Sequence, residues 1–160
     1  RMVIPRLEKG SYHIVFGDAF NDVSVPYHLT TLEFSLQVRD LLKEDGVYTV
    51  NVVDAPKSGR FLRSFVKTLR QSFPHVQILN DAGDLEFDQR TTTIVIASLR
   101  AISAEDLEQA VSRIGKDTPE GLLIGSRAID RWLLEGESIV LHDNFVPVDN
   151  FLAPLYLESR

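Results

Sequence analysis

Hydrophobic positions along the chain switch between short β-like runs and helical stripes. Tyr12-His13-Ile14-Val15-Phe16 lies between Gly10 and Gly17 and is rich in β-prone residues, so it predicts a buried strand. After the loop 18–26, Thr30-Thr31-Leu32-Glu33 has the pattern of a capping box, with Thr30 as N-cap and Glu33 at N3. Phe34, Val38, Leu41 and Leu42 then recur at helical spacing up to Gly46. Val47-Tyr48-Thr49-Val50-Asn51-Val52-Val53 is almost continuously apolar, which predicts a strand covered on both faces. A second helix is expected from about Ser58 to Phe73, with Phe61, Phe65, Leu69 and Phe73 on one stripe and Pro74 as its stop.

Further strands are expected at Val76-Gln77-Ile78-Leu79 and Thr92-Thr93-Ile94-Val95-Ile96-Ala97. A third helix starts at the N-cap Ser103 and runs through Leu107, Val111 and Ile114 to Gly115. A short fourth helix, Arg127 to Leu134, carries Trp132, the only tryptophan. The tail from His142 to Pro154 is crowded with turn formers and reads as irregular. Alternating strands and helices predict right-handed crossovers and a mostly parallel α/β sheet. In such sheets ligands lie beyond the carboxyl ends of the strands. Asp18 and Asp54 both fall at such ends.

Composition narrows the classes. With 160 residues, 44% of them hydrophobic, residues 1–160 suit one domain with a real core. The net charge of -6 argues against a general nucleic-acid surface and suits a cationic partner. There is no cysteine, so disulfides, thiolate nucleophiles and zinc–thiolate sites are excluded. No apolar run approaches the ~20 residues of a membrane helix, and the composition fits a cytoplasmic, soluble domain. The nine glycines are scattered, with no GxG and no phosphate-loop lysine motif. A nucleotide-cradling loop depends on glycine itself, so none is expected in this chain.

The loop Asp18-Ala19-Phe20-Asn21-Asp22 is the first candidate for chemistry. A carboxylate at a strand end can accept a proton, or hold an ammonium by a charge-assisted hydrogen bond. A solvated turn is the alternative, since Asp and Asn favour turns. Tyr27 and His28 either line the same crevice or pack the start of the following helix. Asp54 either reaches the crevice from the next strand or simply opens a polar loop. A magnesium-dependent acidic site is the weaker option, as no D-x-D is present.

Three segments together resemble the spermidine/spermine synthase family. They are Tyr12-His13-Ile14-Val15-Phe16-Gly17-Asp18-Ala19-Phe20-Asn21-Asp22, His28-Leu29-Thr30-Thr31-Leu32-Glu33-Phe34 and Leu42-Lys43-Glu44-Asp45-Gly46-Val47-Tyr48. The tail His142-Asp143-Asn144-Phe145-Val146-Pro147-Val148-Asp149-Asn150 is similar to that family's closing D-D-x-x-P-V-D-N motif. The resemblance is nearest to the spermidine-synthase-like proteins fused to membrane transporters, and is weak between Asp81 and Leu134. It implies a partial Rossmann-like fold of the class I methyltransferase type, lacking the N-terminal nucleotide-binding strands. It also implies transfer of an aminopropyl group from decarboxylated S-adenosylmethionine, the co-substrate of the intact domain, to a diamine such as putrescine. Asp18 matches the family's catalytic acid, which helps deprotonate the attacking amine. Asn21, Asp22, Tyr27 and Asp54 are the expected substrate-binding residues. Synthases commonly carry Asp-Ser-Ser-Asp or Asp-Ser-Thr-Asp at this loop; here Asn21 takes the second acidic position and Asp22 follows it. The expected partners are a polyamine or diamine, a second copy in a homodimer, and a fused transporter domain in the full-length protein. The competing expectation is a non-catalytic Rossmann-like module that binds a partner or mediates dimerisation.

Overall fold

The computed structural model describes residues 1–18, 25–80, 82–103, 105, 106, 109, 113 and 123–157, with the side chains of 153–157 left aside. Five strands form one mixed sheet: β1 (Tyr12–Gly17), β2 (Leu42–Asp54), β3 (His75–Leu79), β4 (Thr91–Ser98) and β5 (Leu123–Ile124). Their order is β1-β2-β4-β3-β5. Helices α1 (Leu32–Leu41), α2 (Arg60–Ser72), α3 (Ser126–Glu135) and α4 (Val148–Leu157) accompany them. This is a Rossmann-like α/β arrangement.

The strand directions follow from the connections. Helix α1 carries the chain from β1 to β2, and these two strands pair in parallel. No crossover helix separates β3 from β4, so β4 turns back and pairs antiparallel with both β2 and β3. Strands β1, β2 and β3 thus share one direction, with β4 inserted against them between β2 and β3. Strand β5 pairs antiparallel with β3.

Helix α2 supplies the core. Phe61, Phe65, Leu69 and Phe73 are all buried along the predicted stripe. They join one cluster with Val50, Val52, Ile78 and Val95 from the sheet. Phe61 and Phe65 stack with ring centroids 5.9 Å apart.

Several expectations are corrected. The sheet is mixed rather than mostly parallel: among the described strands only β1 and β2 pair in parallel, because β4 and β5 run against their neighbours. The strand at Tyr12–Phe16 is not buried: Ile14 is 65% and Phe16 59% exposed. Among the described residues β1 pairs only with β2, so one of its edges and one of its faces are open. Strand β2 is not covered on both faces either. Tyr48, Val50 and Val52 are buried, while Val47, Thr49, Asn51 and Val53 are half-buried. Helices α1 and α2 sit on the Tyr48 face, and nothing as large lies on the other among the described residues. The first helix ends at Leu41 rather than at Gly46, because Leu42 is already extended and starts β2. Finally, the tail is not wholly irregular. A bridge joins His142 and Phe145, and α4 begins directly after Pro147, whose carbonyl accepts from the Phe151 N–H at 3.2 Å. Of the helix expected from Ser103, the cap is seen: Ser103 Oγ accepts from the Asp106 N–H at 3.0 Å. Leu107, Val111, Ile114 and Gly115 lie outside the described residues.

The cap of α1 is displaced by one residue. Thr31, not Thr30, is the N-cap, and its hydroxyl accepts from the Phe34 N–H at 3.3 Å. Thr30 instead donates to the Tyr27 carbonyl at 2.7 Å. Glu33 is therefore released from the box and reaches the tail. Its carboxylate lies 2.9 Å from His142 Nδ1 and accepts from the Asp143 N–H at 3.1 Å. The Asp143 carboxylate accepts from Thr31 Oγ1 at 2.7 Å and pairs with Arg1 through both guanidinium NH2 groups. The Arg1 hydrogen bond holds the Asp143 carboxyl below its ordinary range. The closing segment is thereby fastened over the start of α1.

A buried arginine joins α2 to α3. Arg63 donates to the carbonyls of Lys57 (2.6 Å) and Trp132, and its guanidinium lies 4.4 Å from the centre of the Trp132 ring. Trp132 in turn donates to the Pro56 carbonyl at 2.7 Å. Removing the guanidinium strands two backbone acceptors and empties space beside the indole. Arg63→Ala should therefore cost about 3 kcal/mol of stability in urea unfolding, against under ~0.5 kcal/mol for the exposed Lys9→Ala.

Candidate functional site

The parallel register sets the site. Gly17 pairs with Val50, so Asp18 leaves the end of β1 level with Asn51 on β2. The Asp18 carboxylate is exposed and accepts from Asn51 Nδ2 at 3.1 Å. A cavity of about 400 Å³ beside it is lined by Ile4, Val15, Phe16, Gly17, Asp18, Leu29, Phe34 and Tyr48. Among the described residues that line it, the others are aliphatic or aromatic and Asp18 is the one charged residue. The backbone closes in tightly at Gly17, where a Cβ would come within 3.1 Å of Val50 and 3.2 Å of the Tyr48 hydroxyl. An anionic rim over an apolar cavity suits a ligand with a cationic or basic nitrogen on an alkyl chain.

The other predicted residues are placed as follows. Asn21 and Asp22 lie outside the described residues. Tyr27 is 56% exposed and does not line the cavity; its ring stands edge-on to His28 at 5.6 Å, and its carbonyl holds Thr30. Both Tyr27 and His28 side chains are exposed, and it is the Tyr27 backbone carbonyl that takes part in the turn before α1. Asp54 is at the carboxyl end of β2, as expected, but fully buried and apart from the cavity. Its carboxylate accepts from the N–H groups of Ala55 and Leu62, both at 2.8 Å. The N-cap of α2 is Gly59, which has no side chain to offer, and Asp54 does that work from the end of β2. A Cβ on Gly59 would run into the Asp54 carboxyl group, so the close approach requires glycine.

Sequence reasoning missed Asn51 and Tyr48. The signal for Asn51 was a lone amide inside an otherwise apolar run. Tyr48 carried no signal, since a tyrosine in a strand is ordinary core. Among the described residues no three His, Asp or Glu side chains gather as metal ligands. No helix among them is long and apolar enough to cross a membrane.

Comparison with known proteins adds a fold. No family model and no curated protein matches the chain. Solved structures do. A probable spermidine synthase from Corynebacterium glutamicum superposes with a TM-score of 0.71 at 18% identity, over 89% of this chain and 51% of its own. The spermidine synthase of Thermotoga maritima gives 0.54 at 16% identity, over 82% of this chain and 43% of its own. A spermidine synthase in complex with the transition-state analogue AdoDATO gives 0.55 at 16% identity, over 82% of this chain and 44% of its own. The chain thus spans about half the length of the structures it matches. Its fold is that of the spermidine synthases, as the sequence resemblance implied.

Burial pushes the Asp54 carboxyl up to about 6, against the opposing pull of the Leu62 and Ala55 N–H groups and the Arg63 guanidinium. The folded pKa lies above the ordinary value of 3.8, so the neutral acid is favoured in the fold. That contribution is full below pH ~4 and is lost as pH rises through about 6. The expected loss is roughly 3 kcal/mol. Asp54→Asn cannot titrate, so raising pH from ~4 to ~7 should shift the stability difference toward the Asn variant by that order. Denaturant titrations of both proteins across this range measure it, and parallel curves would contradict the assignment.

Proposed function

We propose that this chain forms the amine-facing side of a spermidine-synthase-like aminopropyltransferase site. The single observation behind this reading is Asp18, which follows β1 at its carboxyl end, lines an apolar cavity and accepts from Asn51. An alkylammonium has a pKa near 10, like lysine, and cannot attack until it loses a proton. Asp18 first holds the ammonium by charge, then accepts that proton as the nitrogen lone pair is engaged. The nitrogen forms a bond to the aminopropyl carbon of the donor, the carbon–sulfur bond breaks, and its electron pair goes to the sulfonium sulfur, leaving a neutral thioether. The alkyl chain lies against Val15, Leu29 and Phe34, which align nitrogen with carbon.

Decarboxylated S-adenosylmethionine is the donor in this reading. Asn21 and Asp22 are substrate-binding residues in this reading, and the neutral Asn21 lowers the loop's negative charge relative to the synthase pattern. Because the chain spans about half of each matched synthase, turnover is proposed for the whole protein and amine binding for this chain. A second reading is favoured by the open edge of β1 with exposed Ile14 and Phe16, which suits a module that pairs with another chain.

Calorimetric titration of putrescine into the chain at neutral pH tests the first reading. Wild type should bind, and Asp18→Asn should weaken binding at least about tenfold while leaving the thermal midpoint unchanged, because the amide can still accept from Asn51. Equal affinity in the two proteins would overturn Asp18 as the amine's anchor. Concentration-dependent sedimentation that Ile14→Asp abolishes, with no amine binding, would favour the pairing module instead.

A further inference from the structure

We infer that Asp143, in the closing segment, is a positioning residue for the Asp18 cavity and fixes three of its walls from outside it. Five lining residues belong to the sheet or its end: Val15, Phe16, Gly17 and Asp18 on or after β1, and Tyr48 on β2. Strand pairing places them. The other three, Ile4, Leu29 and Phe34, come from separate segments. Ile4 starts the 3-10 turn Ile4–Arg6, and Leu29 ends the 3-10 turn Tyr27–Leu29. Neither turn contains a fully buried residue, so polar ties share in placing both.

One carboxylate reaches all three segments. Asp143 accepts from both guanidinium NH2 groups of Arg1, at 2.7 Å from Nη1. The Ile4 N–H donates to the Arg1 carbonyl at 3.2 Å, so Ile4 stands one turn from that fork. The same Arg1 donates to the His28 carbonyl at 3.2 Å, next to Leu29. Thr31 Oγ1 donates to Asp143 at 2.7 Å and accepts from the Phe34 N–H at 3.3 Å. Asp143 does not itself line the cavity, so it acts through these partners. The closing segment gives the carboxylate a rigid base. Leu141 is fully buried, its N–H donates to Thr68 Oγ1 of α2 at 2.9 Å, and its carbonyl accepts from the Leu32 N–H at 2.8 Å. A forked guanidinium–carboxylate pair fixes direction as well as distance. With side chains 23% and 42% exposed, the pair contributes little to stability. It matters more to the cavity, because binding responds to walls displaced by about 1 Å. That the ligand is an amine rests on the reading proposed above; the placing of the walls does not.

Putrescine is titrated by calorimetry into wild type, Asp143→Ala, Asp143→Asn and Asp130→Ala, with the Ile4 and Leu29 methyl signals followed by carbon-13 NMR. Asp130→Ala is the control, since it breaks an ion pair of similar exposure, with Arg70, away from the cavity. Asp143→Ala should weaken putrescine about fivefold or more and shift both methyl signals, while its thermal midpoint falls no further than that of the control. Asp143→Asn keeps an oxygen for Thr31 and Arg1 and should bind within about twofold of wild type. The control should bind as wild type does. Unchanged affinity in Asp143→Ala, or methyl signals that stay in place, overturns the inference and leaves the Asp18 reading standing. An equal loss in Asp143→Asn also overturns it, by making charge rather than placement the cause. An equal loss in Asp130→Ala does so by making general stability the cause. Failure of wild type to bind putrescine overturns the amine reading, and the methyl signals alone then decide whether Asp143 places the walls.

Discussion

Burial of one face of β2 beneath α1 and α2 is the constraint on which the rest depends. Tyr48, Val50 and Val52 point into the core made by Phe61, Phe65 and Leu69, and a slip of one residue would turn them outward. Because β2 is pinned this way, its partner β1 must pair where its own Val15 and Gly17 meet the same layer. That register brings Asp18 level with Asn51. The candidate site is therefore a consequence of core packing on the neighbouring strand.

The two acids at strand ends show how environment separates like residues. Among the described residues, Asp18 follows a strand that is open on one edge, and its exposed carboxylate accepts from Asn51. Asp54 follows the buried strand, and its carboxylate is enclosed by the first turn of α2 and by Gly59. One carboxylate is free to meet a ligand. The other completes a helix terminus that no local residue caps, and carries a desolvation cost for doing so.

Distant segments converge on the start of α1. Thr31 caps the helix and binds Asp143; Glu33 reaches His142; Arg1 joins Asp143 and donates to the His28 carbonyl at 3.2 Å. The first residues, the turn before α1 and the closing segment are held in one network beside the cavity wall formed by Leu29 and Phe34. These ion pairs are partly exposed and individually weak, so their effect is to orient the segments rather than to stabilise the fold greatly.

Periodicity alone was enough for the order of elements from β1 to β4, the stripe of α2 and the acid at the end of β1, because each depends on local spacing of apolar groups or on a turn next to them. The absence of clustered glycines was equally local, since only glycine lets backbone approach a phosphate. Coverage was not local. Ile14 and Phe16 read as core, and only the sheet order shows that β1 lacks a second neighbour among the described residues. The capping box chose Thr30 because spacing fits Thr30 and Glu33 equally well; the tail competes for Glu33 and moves the cap to Thr31. The division between Asp18 and Asp54, the pairing with Asn51 and the placing of the Tyr48 hydroxyl under Gly17 all depend on which strand lies beside which. Contacts between residues some 30 positions apart leave no periodic trace, and three-dimensional packing alone decides them.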